Sequence, residues 1–454
     1  MAGSHLPFME EGMARWPFGP PHAGLALECA GTPPPLEELR ALAAERWAAL
    51  PRLAHLLVPP ARGPGRRHRW ATDEGSYDLT HQVVRTDSTL QEGLREWFQR
   101  PFPADRPPWN LHLLRGAADG HVGGDTDGGF ALLFRMHHSL LDGRSVTTLL
   151  RALLDGGRPV DAPASLAAPG ARRRTVEPAI GGPPGMLTTG LPVPLPGKGE
   201  RRPAHTAVRL PADLLRAARE AARGRTATTN DVFLAAASGV LRSCLLTSAD
   251  GLEGGSGLGS GLGSTAGARQ VWLSVPVDQR PSECGDFLGN AFTNVRVPAP
   301  VTLPDPAARL IACGGLLTAV TRPRRTAERL IEGALGAFPG TTQALARGKF
   351  FAAAYAPAAC SYVHLREGVR AGVREGFRET GVDGAAGRTL AGRPLRYITA
   401  VPMVPPDDTV TFALGGCAQG HTLSVATNSG DEDADLLADA FLHELGLLAG
   451  DGAR

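Results

Sequence analysis

Apolar residues recur along this chain with two different periods, and the change of period separates helices from strands. Leu36, Leu39, Leu42, Ala43, Trp47, Leu50 and Leu53 follow helical spacing, predicting an amphipathic helix over 36–57 that closes near the Pro59-Pro60 pair. Leu90, Leu94, Trp97 and Phe98 predict a second helix over 89–99. Residues 130–136 are apolar apart from Arg135, as expected of a mostly buried strand. Directly beyond them, Val146, Leu149, Leu150, Leu153 and Leu154 line one face of a helix. A strand at 206–210 leads to helices at 211–223 and 229–247, with Thr229 in capping position. Further strands are predicted at 270–277, 292–297, 394–401, 409–415 and 421–427. Helices at about 305–335 and 341–354 fall between them, and a helix at 431–448 closes the chain. Helices interleaved with mixed strands predict an α/β architecture of sandwich-like lobes.

Residues 155–204 are dense in Pro, Gly and Arg with little periodicity, so they read as a crossover. The predicted organisation is an N-terminal lobe at 1–154, this linker, and a C-terminal lobe at 205–454. The Gly/Asp-rich stretch 119–129 reads as an exposed hairpin loop after a strand at 111–114, and 251–268 as a flexible surface loop. Gly261, Gly263 and Ala266 fall in G-x-G-x-x-A register, but no strand precedes them and no helix follows, so a dinucleotide site is rejected.

Composition narrows the class. The chain has 454 residues, 43% hydrophobic and 20% charged, enough for two sizeable cores. A formal net charge of +2 gives no argument for a nucleic-acid partner. The six cysteines are scattered without a C-x-x-C pair, which excludes a zinc ribbon or a thioredoxin-type motif. No apolar run approaches 18 residues, so no integral membrane segment is expected, and the location expected is cytoplasmic.

The chemistry concentrates where the strand at 130–136 gives way to its helix. Here His137, His138, Asp142 and Gly143 form H-H-x-x-x-D-G, in a turn that can hold side chains rigidly at a cleft. Neighbouring strand residues point to opposite faces, which puts His138 with Phe130, Leu132, Phe134 and Met136, and His137 with Ala131, Leu133 and Arg135. Opposed directions argue against a two-histidine metal chelate and for one chemical histidine beside one structural histidine. Asp142, just before a helix, is suited to capping its first turn.

The motif in this setting resembles the signature of the CoA-dependent acyltransferase superfamily, which includes chloramphenicol acetyltransferase and peptide-synthetase condensation domains. The flanks most resemble the bacterial wax ester synthase/diacylglycerol acyltransferase branch. The stretch from Pro101 through Phe102, Pro103 and Arg106 to Pro108 and Trp109 is similar to its P-L-D-x-x-x-P-L-W segment. Asn230-Asp231 matches its N-D helix, and Val275-Pro276-Val277 with Arg280, then Gly289-Asn290, its V-P-V-x-x-R … G-N region. Two departures stand out. Leu56 replaces the arginine late in the first helix, with Arg52 nearby, and Ser361-Tyr362-Val363-His364 replaces an S-N-V-P-G-P stretch.

The resemblance implies two similar chloramphenicol acetyltransferase-like lobes around a central tunnel with the motif at its middle. It implies an acyltransferase that joins an acyl thioester, on CoA or an acyl carrier protein, to a small hydroxyl or amine acceptor. No cofactor is expected, the CoA or phosphopantetheine thioester being substrate. His138 is the expected general base, a role suited to histidine's near-neutral pKa. His137 and Asp142 would complete the catalytic turn, Asp142 through an arginine, either Arg280 or Arg52. Gly143, Trp109, Asn230, Ser361 and Tyr362 are the expected substrate-binding residues. Tyr362 and His364 add bulk and polarity, predicting an acceptor more polar or compact than a long-chain alcohol, in a specialised biosynthetic pathway. The alternatives are a lipid-storage wax ester synthase/diacylglycerol O-acyltransferase and a non-catalytic binding protein that keeps the fold. A monomer or homodimer is expected.

Overall fold

Alternation along one strand, Gly129–His137, organises the first half of the molecule. Phe130, Leu132, Phe134 and Met136 enter a large core with Trp47 and Trp109, while Ala131 and Leu133 enter a smaller one with Phe98. The computed structural model describes residues 4–450 apart from 48–49, 62–65, 73–76, 117–127, 164–187, 198–200, 222–226, 251–269, 281–283, 320–350 and 366–386.

The chain opens with β1 (Ser4–His5), α1 (Phe8–Ala14), β2 (His22–Ala30), α2 (Leu36–Trp47), β3 (His55–Val58) and β4 (Arg69–Thr72). It continues through α3 (Leu79–Gln82), β5 (Val83–Thr86), α4 (Leu90–Glu96), β6 (Trp109–Arg115), β7 (Gly129–His137) and α5 (Gly143–Leu153). The second half has β8 (Ala204–Leu210), α6 (Ala212–Glu220), α7 (Thr229–Asp250), β9 (Trp272–Asp278) and β10 (Phe292–Pro298). After α8 (Pro306–Cys313) and α9 (Leu316–Ala319) come β11 (Ala358–His364), β12 (Thr389–Leu390), β13 (Arg393–Val401), β14 (Val410–Cys417), β15 (Gly420–Thr427) and α10 (Asp431–Ala449).

Among the described residues these strands form two six-stranded sheets, ordered β12-β13-β2-β7-β6-β5 and β10-β9-β11-β14-β15-β8, with a small third sheet β1-β4-β3. Both large sheets mix parallel and antiparallel pairs, which gives the α/β class predicted. Chain order and sheet membership part at β13, which pairs antiparallel with β2 although it lies far downstream. It crosses β14 and β15 closely: Thr422 Oγ1 on β15 donates to the Ile398 carbonyl at 2.6 Å. A Cβ on Gly415 would stand 2.0 Å from that same oxygen, so only glycine allows the approach.

β14 serves both halves. Phe412 and Leu414 enter the second large core with Phe233 and Phe441, whereas Ala413 and Cys417 join the core of the first sheet. Helix α7 is long and apolar enough over Thr229–Ser248 to cross a membrane by length and composition, yet 67% of that window is buried within the fold. It is the central helix of the second core.

Several boundaries differ from expectation. The helix predicted over 36–57 stops at Trp47, because Leu50 precedes a proline and adopts φ −108°, ψ 88°. Residues 51–54 make a 3-10 turn, and 55–58 pair with β4. The helix over 89–99 shortens to Leu90–Glu96, started by a Thr89–Glu92 capping box. The helix over 305–335 is broken at Gly314-Gly315, with φ +79° at Gly315. Its remainder, most of the one over 341–354, and the loops at 119–129 and 251–268 lie outside the described residues, apart from 128–129 and 351–354. Strand β11 went unpredicted because its small and polar residues show no alternation, though it lies between β9 and β14.

Candidate active site

The motif turn is fixed at both ends before any side chain is considered. His22 and His137 are register partners across β2 and β7. The His137 amide donates to Pro108 O at 2.9 Å and the His138 amide to Pro21 O at 2.8 Å. Leu140 N closes the turn onto His137 O, and Asp142 N reaches Gly289 O.

The two histidines differ in tautomer and direction. Ser139 donates from its amide and sets its hydroxyl against His137 Nδ1 at 3.3 and 2.7 Å, so neutral His137 carries its proton on Nε2. Burial pushes its pKa down to about 3, helped by His138 and His68. His138 turns the other way, with Phe292 5.8 Å from it, ring centre to ring centre. Its Nδ1 is enclosed. The ring lies against its own carbonyl oxygen and the Asn290 amide, which favour the proton, but burial outweighs them and lowers the pKa. With Nδ1 buried inside the turn, Nε2 is the ring nitrogen left to face a substrate.

Asp142 holds the turn to the second half of the chain. Its Oδ1 caps α5 by accepting from Ser145 N at 2.9 Å and also accepts from Arg280 Nη2 at 2.8 Å. Its Oδ2 accepts from Ala291 N at 2.9 Å. Arg280, 1% exposed, further donates to Phe287 O, Gly289 O and Asp278. Asp142 and Asp278 hold its pKa above the ordinary value against the opposing effect of burial. Of the two candidate arginines, Arg280 is therefore the partner of Asp142. Arg52 instead grips the turn from its other side, donating to Leu140 O at 2.9 Å and Ser139 O at 3.2 Å, and pairs with Glu10 at 2.5 Å. Glu10 also accepts from Trp70 Nε1, and its pKa is raised by burial. Leu56 lies in β3, buried in the core.

The remaining predicted site residues separate. Gly143 begins α5, and a Cβ there would lie 3.5 Å from Val363 Cγ2, which puts β11 beside the motif. On β11, Ser361 shares the Val363 face, and Tyr362 and His364 share the other. Tyr362 meets the second core and stacks on His421, 6.2 Å between ring centres. The bulk predicted for the acceptor side thus faces away from Gly143. Trp109 is fully buried, stacked on Phe134 at 5.3 Å, with its indole N–H on Leu53 O. It packs the core behind β7. Asn230 sits in the first turn of α7, where Thr228, one residue before the expected cap, and Asp231 exchange capping hydrogen bonds. The asparagine that the fold brings to the motif is Asn290, whose Nδ2 donates to His138 O and Ser139 O, each at 2.9 Å. Sequence reading passed over its role, and the G-N pair after Arg280 was the signal available.

A cavity of about 250 Å³ opens on the His137 side of the turn, walled by His22, Leu57, Phe102, Arg106 and His137.

Residues 21–244 match the model of the wax ester synthase/diacylglycerol acyltransferase catalytic domain. No curated protein matches the chain by sequence. Among solved structures, the wax ester synthase/diacylglycerol acyltransferase from Marinobacter aquaeolei VT8 is similar at 17% identity and TM-score 0.55, over 98% of this chain and 100% of that one. The first condensation domain of the calcium-dependent antibiotic synthetase aligns at 16% identity and TM-score 0.54, over 100% and 97%. The trichothecene 15-O-acetyltransferase from Fusarium sporotrichioides aligns at 13% identity and TM-score 0.57, over 97% and 92%. The two-lobed arrangement is the one shared with these structures.

Proposed function

We propose that this chain, which matches the wax ester synthase/diacylglycerol acyltransferase catalytic domain over residues 21–244, is an acyltransferase in which His138 is the base that joins an acyl thioester to an acceptor hydroxyl or amine. The observation that carries this is His138 itself, with Nδ1 buried inside the turn and its carbonyl held by Asn290. Nε2 takes the acceptor's proton as its oxygen or nitrogen bonds to the thioester carbonyl carbon. The C–S bond then breaks, and the imidazolium returns the proton to the departing thiolate. An ester or amide and a free thiol result, with no acyl-enzyme. Asp142, Arg280, Asn290 and Arg52 are positioning residues, since they bind the turn rather than a reacting atom. The thioester arrives on CoA or an acyl carrier protein as substrate, and the reaction needs no bound cofactor.

The acceptor in this reading is compact and polar, as in a specialised biosynthetic pathway. Support comes from the small cavity and the histidines and arginine in its wall, because polar groups left unpaired penalise an apolar ligand. The competing reading, lipid storage, is favoured by the matched family model. Supplying one acyl-CoA with hexadecanol, dioleoylglycerol and a panel of small polar alcohols and amines separates them by product mass. Transfer to the polar acceptors is expected. Wax ester or triacylglycerol formation with none of the polar acceptors used would restore the storage reading, and no transfer by wild type to any acceptor would leave a binding protein.

A further inference from the structure

We propose that the cavity beside His137 binds a carboxylate carried by a compact acceptor, with Arg106 and the Nε2–H of His137 as its donors. This deepens the acyltransferase reading and rests on it for the acceptor role, while the anion site itself rests on Arg106 and His137 in the cavity wall.

Arg106 is the cation in the cavity wall, and among the described residues no carboxylate lines it. Arg106 forms part of the wall, and its guanidinium has no carboxylate partner among the described residues. Behind the Phe102 wall lies Arg135, 5% exposed, its guanidinium 4.1 Å from the Phe102 ring centre. Arg135 donates to Phe98 O at 2.7 Å and to Arg100 O, and lies 3.0 Å from His22 Nδ1. None of these partners is an acid. Burial lowers its pKa only to about 9, so it stays charged at neutral pH. His22 is pushed down to about 2 by burial and by Arg135, and is neutral. His137, its Nδ1 occupied by Ser139, adds an N–H donor rather than an acceptor. With no carboxylate among the lining residues, Arg106 in the wall and Arg135 behind Phe102 create a positive field that an anion would neutralise.

Size selects the carrier. About 250 Å³ holds roughly eight water-sized groups, enough for a small hydroxy or amino acid and far too little for CoA. The cavity reaches the motif turn at His137, the residue before His138.

The test measures binding by calorimetry with the full chain, comparing benzoate with its neutral isostere benzamide. Benzoate is expected to bind at least about tenfold more tightly, by a margin that shrinks as salt is raised. Arg106→Gln is expected to weaken benzoate by about ten- to a hundredfold and erase the preference. Arg106→Lys, which keeps the charge, is expected to retain part of it. Equal binding of the two probes by wild type, or a benzoate preference untouched in Arg106→Gln, overturns the site. Pantetheine and CoA are run as competitors. Displacement of benzoate by CoA but not by pantetheine would assign the site to a donor phosphate and overturn the acceptor assignment. Binding is read without turnover, so absent acyl transfer alongside an intact benzoate preference would sink the acyltransferase reading and leave the anion site standing.

Discussion

Arg280 and Asp142 lie 138 residues apart in the chain and 2.8 Å apart in space, both closed off from water. That contact joins the start of α5 to the segment before β10, and Ser145, Gly289 and Ala291 complete it. The turn that aims His138 is thus held in shape by the second half of the protein.

Removing one partner of a buried pair leaves the other uncompensated, at about 3–5 kcal/mol. Asp142→Ala and Arg280→Ala should each lower Tm sharply and reduce turnover with it. Asp142→Asn, which keeps an acceptor for the α5 cap, should fall between them and wild type. In a double-mutant cycle the paired substitution should cost less than the sum of the two. Additive losses would show that the residues are not coupled.

His138→Ala should fold normally and lose about 10²–10⁴ in turnover, the usual contribution of a positioned base. His137→Ala should lose less turnover relative to its fall in Tm, because it removes the Ser139 hydrogen bonds that shape the turn. Both are read from melting curves beside single-turnover rates. A folded His138→Ala protein with wild-type turnover would rule out this base.

Arg52 grips two carbonyls of the motif turn with one planar fork. Arg52→Ala should cost about 1.5–3 kcal/mol of stability through lost charge-assisted hydrogen bonds, and lower kcat more than it raises KM. Arg52→Lys should fail to rescue the rate, since a single ammonium cannot reproduce the fork. Full rescue by lysine would reduce the role of Arg52 to its charge opposite Glu10.

Several buried histidines set the direction of the pH dependence of stability. Burial pushes His22 to about 2, His112 and His137 to about 3, and His205 to about 4. Below the ordinary value of about 6.5 the unfolded chain takes up protons that the folded chain refuses. Unfolding free energy therefore falls as pH drops from about 6.5 toward 4, each histidine adding up to about 1.4 kcal/mol per pH unit. Urea titrations at pH 7.5, 6 and 5 should show it, and His112→Gln should flatten the slope. A slope that His112→Gln leaves unchanged would contradict the neutral buried state assigned to that histidine.

Features set by near neighbours were legible in the chain. The apolar run of β7, the helical face of α5 and the capping position of Asp142 all appear where spacing put them. So does the opposite direction of His137 and His138. What depended on distant neighbours was not legible. Helix periodicity ran on past Trp47 in the sequence, and only pairing with β4 showed 55–58 to be a strand. β11 carries no alternation of its own and exists because β9 and β14 flank it. Tyr362 looked like an acceptor-side group until the register of β11 turned it toward His421.

The sequence by itself determined which turn carries the chemistry and which family pattern it follows, because H-H-x-x-x-D-G, the strand before it and the helix after it are local. Only the tertiary structure decided that Arg280 and not Arg52 meets Asp142, and that Asn290 and not Asn230 holds the His138 carbonyl. It alone gathered Arg106, His22 and His137 around one cavity. The physical reason is that backbone periodicity records which face a residue occupies, whereas a buried charge pair or a cavity wall is chosen by which distant segments pack together. That choice is made by the whole fold.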